Sequence, residues 1–308
     1  MNLDQILGIN LNLVTPDYEK FWKYRIQSCD KNVITKVGNL LVPVDLENVE
    51  KLSEVLLGQG INLPMLEELG LYFIDTHLPL QELLTKCSAT LRYLELWMVY
   101  FSNEGLDSVP SPKQLEKLHL GICFDMSNTD TIELLTKCSA TLKDLKLNNM
   151  LNFSGEGLES IPDLKLEILE LAENHELRFE CFVQLLVKCS ATLKHLTLRS
   201  PMFYDCEALM ESIPVLKLET LRLEYANWFR DTDLMLLLSR CSANLEELRL
   251  HDTYASGETL ADCLSNVAFG KLRVLGITSC ENVTDEDKER IRAALPQCEV
   301  QCGTDIQW

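Results

Sequence analysis

The sequence predicts an α/β solenoid: a curved horseshoe of about ten to eleven strand-plus-helix units, with a parallel β-sheet on the concave face and helices on the convex face. Three observations carry that prediction. First, one stretch recurs four times, as LLTKCSATLRYLEL (Leu83–Leu96), LLTKCSATLKDLKL (Leu134–Leu147), LLVKCSATLKHLTL (Leu185–Leu198) and LLSRCSANLEELRL (Leu237–Leu250). Its cysteines, Cys87, Cys138, Cys189 and Cys241, are 51, 51 and 52 residues apart. Second, a related ending lies between the copies, so LxxLxL begins at Leu66, Leu91, Leu115, Leu142, Leu166, Leu193, Leu218, Leu245 and Leu272, in steps of 25, 24, 27, 24, 27, 25, 27 and 27 residues. Third, the periodicity switches within each unit. The last two leucines of LxxLxL are two apart and share one face of a strand. The lead-in LLTKC has its apolar residues three and four apart, on one face of a helix. A single unit has no core of its own, so neighbours must stack to bury a common one.

Taken in order, residues 1–40 do not fit the repeat and are expected to form an N-terminal cap. LGINLNLV (Leu7–Val14) reads as a strand, and TPDYEKFWKYRIQSC (Thr15–Cys29) as a helix entered through Thr15-Pro16. The repeat domain is assigned to 41–303. Its first strand is expected at Leu41–Leu46, followed by a helix over Asn48–Leu57 that Gly58 and Gly60 close. In the middle, full helices are expected to alternate with short ones stopped at Pro110, Pro162 and Pro214. Near the end, Thr284 with Asp287 three residues on is an N-cap arrangement. Leu295-Pro296 closes that helix, Cys298–Gln301 is the last strand, and 304–308 is a C-terminal tail whose Trp308 is expected to pack on the last repeat.

These residues resemble a leucine-rich repeat protein over about residues 40–303. More narrowly, LRVLGITSCENVTDEDKERI, with Cys280, Val283, Thr284 and Asp285, is similar to the cysteine-containing subclass of F-box/leucine-rich-repeat adaptors, and Thr232-Asp233 matches the same helix start one repeat earlier. The KCSATL copies depart from that pattern by one extra residue between Cys and Leu. The two-unit alternation and acidic balance also resemble the ribonuclease-inhibitor class. The resemblance implies a non-catalytic protein–protein recognition module that binds a protein partner on the concave face. The adaptor class implies a substrate receptor of a ubiquitin ligase, with ligase scaffold as a second partner. An F-box would begin near LPxE; none is found, and Trp22 comes too early, so that role does not follow from the repeats alone. The alternatives are a structural or sensor subunit of a larger complex, or inhibitor-like sequestering of a basic protein.

Charge narrows the partner. Lys+Arg number 28 and Asp+Glu 47, a formal net charge of −19. Nucleic acid and anionic membrane are disfavoured, because both require a basic surface, whereas a basic protein would be drawn in. The same balance keeps a leucine-rich chain soluble, and it is expected to be a monomer on its own. The twelve cysteines do not form a disulfide framework. The four repeated ones lie two units apart, about 10 Å, beyond the roughly 7 Å a disulfide spans and too spread for one zinc. They read as small core residues, leaving only Cys298 and Cys302 as a conceivable pair. With no signal-peptide core and no bilayer-length apolar run, the expected compartment is cytoplasmic or nuclear.

Functional residues are expected where side chains alternate with the core leucines. At one end these include Tyr72 and Phe73, then Tyr93, Trp97 and Met98, an aromatic patch of the composition that interface hot spots favour. Packing against the cap is the competing reading. Further on come Arg199, Arg222 and Tyr225, then Trp228 in a loop, then Arg249 and His251. The three arginines could form a basic stripe able to read an acidic or phosphorylated peptide, unless Glu170, Glu224, Glu247 and Asp252 neutralise it. No HExxH, GxSxG, GxxxxGK[ST] or GxGxxG occurs. His119, His195 and His251 fall on the face in separate repeats, so no enzyme, metal or cofactor is expected.

Overall fold

The computed structural model describes residues 39–43, 67–74, 84–85, 87–99, 109–200, 203, 207–227, 229–241, 243–266 and 269–303. Most of the expected cap, the helix at Asn48–Leu57, the tail 304–308 and Trp228 lie outside these residues, as do the side chains of Tyr72 and Phe73. The chain divides into two compact units, residues 1–142 and 143–308.

In the first unit, β1 (Asn39–Pro43), β2 (Glu68–Ile74), β3 (Tyr93–Val99) and β4 (Lys117–Gly121) pair in parallel and in chain order, and helix α1 (Asn128–Cys138) follows. The second unit orders β5 (Asp144–Asn148), β6 (Ile168–Ala172), β7 (His195–Arg199), β8 (Thr220–Glu224), β9 (Glu247–His251), β10 (Val274–Thr278) and β11 (Glu299–Cys302) in the same way. Its helices are α2 (Phe179–Cys189), α3 (Asp231–Cys241), α4 (Gly257–Asn266) and α5 (Asp285–Ala294), with 3₁₀ segments at Leu158–Ser160 and Glu207–Ser212. Both units are leucine-rich repeats, with one strand per repeat and, where the described residues cover the connection, a helical return.

Register follows from the leucines. Leu145, Leu169, Leu196, Leu221, Leu248 and Leu275 stand side by side on successive strands, all buried, and Leu147, Leu171, Leu198, Leu223, Leu250 and Ile277 form the next column. A slip of one residue would expose both columns. Each fully buried leucine contributes roughly 1.5–3 kcal/mol.

The helical returns follow the step lengths rather than a strict alternation. From Leu115 to Leu272, steps of 24 and 25 residues hold the 3₁₀ segments, and steps of 27 hold α1, α2, α3 and α4. Alternation stops after Pro214: α3, α4 and α5 are consecutive full helices, α3 and α4 in 27-residue steps without a proline stop, and α5 within the 25 residues from Val274 to Glu299. Two helices open with reciprocal caps, Ser127 with Asp130 and Thr284 with Asp287.

The repeated cysteines are core residues. Cys138, Cys189 and Cys241 end α1, α2 and α3, and each thiol donates to the carbonyl four residues back, at 3.0, 3.1 and 3.2 Å. Burial pushes each of these thiols, and Cys87, up to about 12. Cys298 and Cys302 are free, half-buried thiols.

The strand exits repeat as well. Asn149, Glu173, Ser200, Tyr225, Asp252 and Ser279 each follow a strand with φ between +42° and +54°. For the first five, the N–H donates to the last carbonyl of the next strand, at 2.7, 3.0, 2.8, 2.8 and 2.9 Å. The left-handed turn thus ends one repeat while bonding it to the next.

Candidate functional site

With the leucines inward, every second strand residue faces outward, on the side away from the helices. In the first unit, this places Tyr93, Glu95 and Trp97 of β3 beside Lys117, His119 and Gly121 of β4. The Tyr93 hydroxyl donates to Glu95 and lies 3.1 Å from His119 Nδ1, with the two rings edge to face at 5.0 Å. Trp97 lies over Gly121. A Cβ at that position would overlap the indole, so the glycine is what lets the ring lie flat on the neighbouring strand. Both rings are half-buried, packed against their own sheet with one side open. Met98 sits in the left-handed region (φ 53°) and is half-exposed. Tyr72 is the register partner of Trp97, and Phe73 follows it in β2.

In the second unit, the arginines fall in two neighbouring rows. Arg222 pairs in register with Arg249, whereas Arg199 lies level with Glu224, one outward position further on. Each guanidinium meets a carboxylate. Arg199 Nε donates to Glu224 Oε2 at 2.6 Å, and Glu224 is nearly buried. Arg222 Nη2 and Arg249 Nε both donate to Glu247 Oε1, at 3.0 and 2.5 Å. Lys146 and Glu170 pair likewise at 3.2 Å on β5 and β6. The stripe expected from sequence is therefore a ladder of ion pairs. Burial opposes the charge on Arg199, but the hydrogen bond and charge of Glu224 outweigh it and raise its pKa. Burial likewise opposes ionisation of Glu247, and Arg249 and Arg222 together hold its carboxyl below the ordinary range.

The rim beside this ladder is aromatic. Tyr225 follows β8, is 45% exposed, and stands edge to face with His251 at 4.9 Å, sharing a 3.2 Å hydrogen bond with its Nε2. Tyr254, in the loop after β9, is 60% exposed.

Two features were missed in the sequence. Asp231, at the start of α3, accepts from Ser256 N–H (2.8 Å), Ser256 Oγ (2.7 Å) and Thr259 Oγ1 (2.9 Å), tying α3 to α4. Burial opposes its charge, but these bonds prevail and lower its pKa. Asn174 accepts from Met150 N–H at 2.9 Å and donates to Leu147 C=O at 2.7 Å. Cys123 and Cys280 take the comparable place, their thiols donating to Leu96 C=O and Leu250 C=O at 3.7 Å. The spacing of these residues after LxxLxL is the signal that could have found them.

Compared with protein-family models and with curated proteins, the sequence matches none. Among solved structures it is similar to the crystal structure of the Rad7 and Elc1 complex in yeast, with a TM-score of 0.55 and 20% identity over 90% of this chain and 80% of that one. At this identity the likeness bears on the fold: it is the repeat architecture that the two chains share.

Proposed function

We propose that the protein is a non-catalytic recognition module that binds a protein partner on its outward strand faces. One observation carries the reading. Positions that the repeat leaves free for any polar residue hold Tyr93 and Trp97 in one unit, and Arg199, Arg222, Arg249 and Tyr225 in the other, the residue types enriched in hot spots. None of these is needed to build a strand. The likeness to a chain found in complex with another protein supports the same reading. Lys146, Glu170, Arg199, Glu224, Arg222, Arg249 and Glu247 are spent on ion pairs with one another, which suits binding better than acid–base chemistry.

In its finer form, the chain is a substrate receptor of a ubiquitin ligase, as the adaptor resemblance implies, working in the cytoplasm or nucleus. Affinity purification of the full chain tests both levels. Ligase scaffold among the partners supports the receptor reading. A basic protein captured alone favours sequestering, which the net charge of −19 also favours. For the face itself, replacing Tyr93 and Trp97 by alanine should weaken capture while leaving Tm nearly unchanged. A fall in Tm of many degrees would instead make the rings part of the core.

A further inference from the structure

We infer that the β7–β9 face takes an acidic segment of the partner, with a carboxylate seated over Arg222 and Arg249 and an apolar side chain over Tyr225. This assignment rests on the recognition reading above and names the chemistry of the partner at that site.

The charge count points there first. Among the outward residues of β7, β8 and β9, three guanidiniums, Arg199, Arg222 and Arg249, face two carboxylates, Glu224 and Glu247. Beside them Glu170 is taken by Lys146, and Glu173 and Asp252 lie at the strand exits, so the positive excess is confined to the strands themselves in a chain with a formal charge of −19. Glu247 is divided: both Arg222 and Arg249 donate to the same oxygen, so two cations in adjacent register are held together by one anion. A second carboxylate placed above them would relieve that repulsion.

The neighbouring rim supplies the apolar contact. Of the six strand-exit residues in the second unit, five are small or polar, namely Asn149, Glu173, Ser200, Asp252 and Ser279, and the sixth is Tyr225. A bulky residue is disfavoured in the left-handed region, and this one is 45% exposed. The backbone does not call for a tyrosine there, and the ring meets His251 edge to face while remaining part-exposed. Strain retained at an exposed aromatic is the mark of a contact residue. Tyr254 extends the same rim.

A carboxylate fits better than a phosphate. Arg222 and Arg249 already share one carboxylate, and a second of the same size and charge can sit over the pair. A phosphate brings about −1.5 to −2 and would meet Glu224 and Glu247 at close range. A partner that is basic overall can still present such a segment.

The test uses the full chain and a library of extended peptides with Glu, Asp, phosphoserine, Ala or Lys fixed at the centre and flanking positions varied. The expected result is selection of Glu- and Asp-centred peptides carrying a nearby apolar residue. In R222Q/R249Q/E247Q, which removes the three charges without stranding one, affinity should fall about tenfold or more. In R222E/R249E, preference should pass to Lys-centred peptides, a reversal that a merely misfolded variant does not give. Y225N should weaken binding and abolish the apolar preference. Selection of Lys-centred peptides by the unaltered chain overturns the acidic assignment and leaves the recognition reading standing, as does acidic selection indifferent to Arg222 and Arg249. Preference for phosphoserine over Glu overturns the carboxylate. If no peptide is selected and purification of the full chain yields no partner, the recognition reading itself falls.

Discussion

Glu173 shows how much a single backbone position constrains the repeat. It is exposed, has φ 54°, and donates its N–H to Arg199 C=O across to the next strand. A non-glycine residue in this region costs about 1–2 kcal/mol, whereas glycine costs roughly 0.5–1 kcal/mol in lost chain entropy. Glu173→Gly should therefore raise unfolding stability by about 0.5–1 kcal/mol in a urea titration. The same change at Glu170, inside β6, should lower it. Asn174, the next residue but with its side chain inward, works the other way. Asn174→Ala leaves Met150 N–H and Leu147 C=O unpaired, and each buried orphan costs about 1–3 kcal/mol; a loss of less than 1 kcal/mol would mean that water replaces the amide. The thiols of Cys138, Cys189 and Cys241 should resist a disulfide reagent in the native protein and react only on unfolding.

Among the elements, the helices depend on their caps and the strands on their neighbours. Ser127 accepts from Asp130 N–H and opens α1. Ser127→Ala should cost about 1 kcal/mol, read from the same titration. In the first unit, Gly121→Ala should push the Trp97 ring off the neighbouring strand and weaken capture of the partner, with Tm nearly unchanged. The strands and their facing were legible in the sequence, since a two-residue leucine period sets which side is buried whatever the register. So were the full helices, whose apolar spacing and 27-residue steps are local. The lateral bonds were not. Which carboxylate each arginine meets depends on a pairing about 25 residues away in the chain, and a shift of two positions separates Arg199–Glu224 from a row of three arginines. Tyr225 was recognised as an exposed aromatic, but its left-handed backbone was not. The asparagine and aspartate links escaped notice because Asp, Glu and Asn are frequent everywhere in this sequence.

For the molecule as a whole, the repeated burial of thiols sets a pH limit. Cys87, Cys123, Cys138, Cys189 and Cys241 are each raised from 9.0 to about 12 by burial. A folded pKa above the unfolded one means full stability below the unfolded value and progressive loss as pH climbs toward the folded one. Tm should therefore be flat through neutral pH and fall steeply between pH 9 and 12. A variant with Cys138, Cys189 and Cys241 replaced by alanine should show a shallower fall over that range. At the acid end, Glu247, whose folded pKa is depressed, contributes stability above its unfolded pKa that is lost as pH drops through the folded one. The same acidification would neutralise the carboxylate that Arg222 and Arg249 share.

The hydrogen bond from each strand-exit residue to the following strand has a further consequence. Because the junction is the same from one repeat to the next in the second unit, a block can be cut out and the ends rejoined without inventing a new connection. Excising residues 193–244, the 52-residue step from Leu193 to Leu245, joins the end of α2 to the start of β9, with KCSAT (188–192) taking the place of the nearly identical RCSAN (240–244) before Leu245. The shortened chain should still unfold cooperatively. Length in this architecture is thus adjustable in whole modules, and gene duplication rather than point change is the route by which such a scaffold gains or sheds a binding segment.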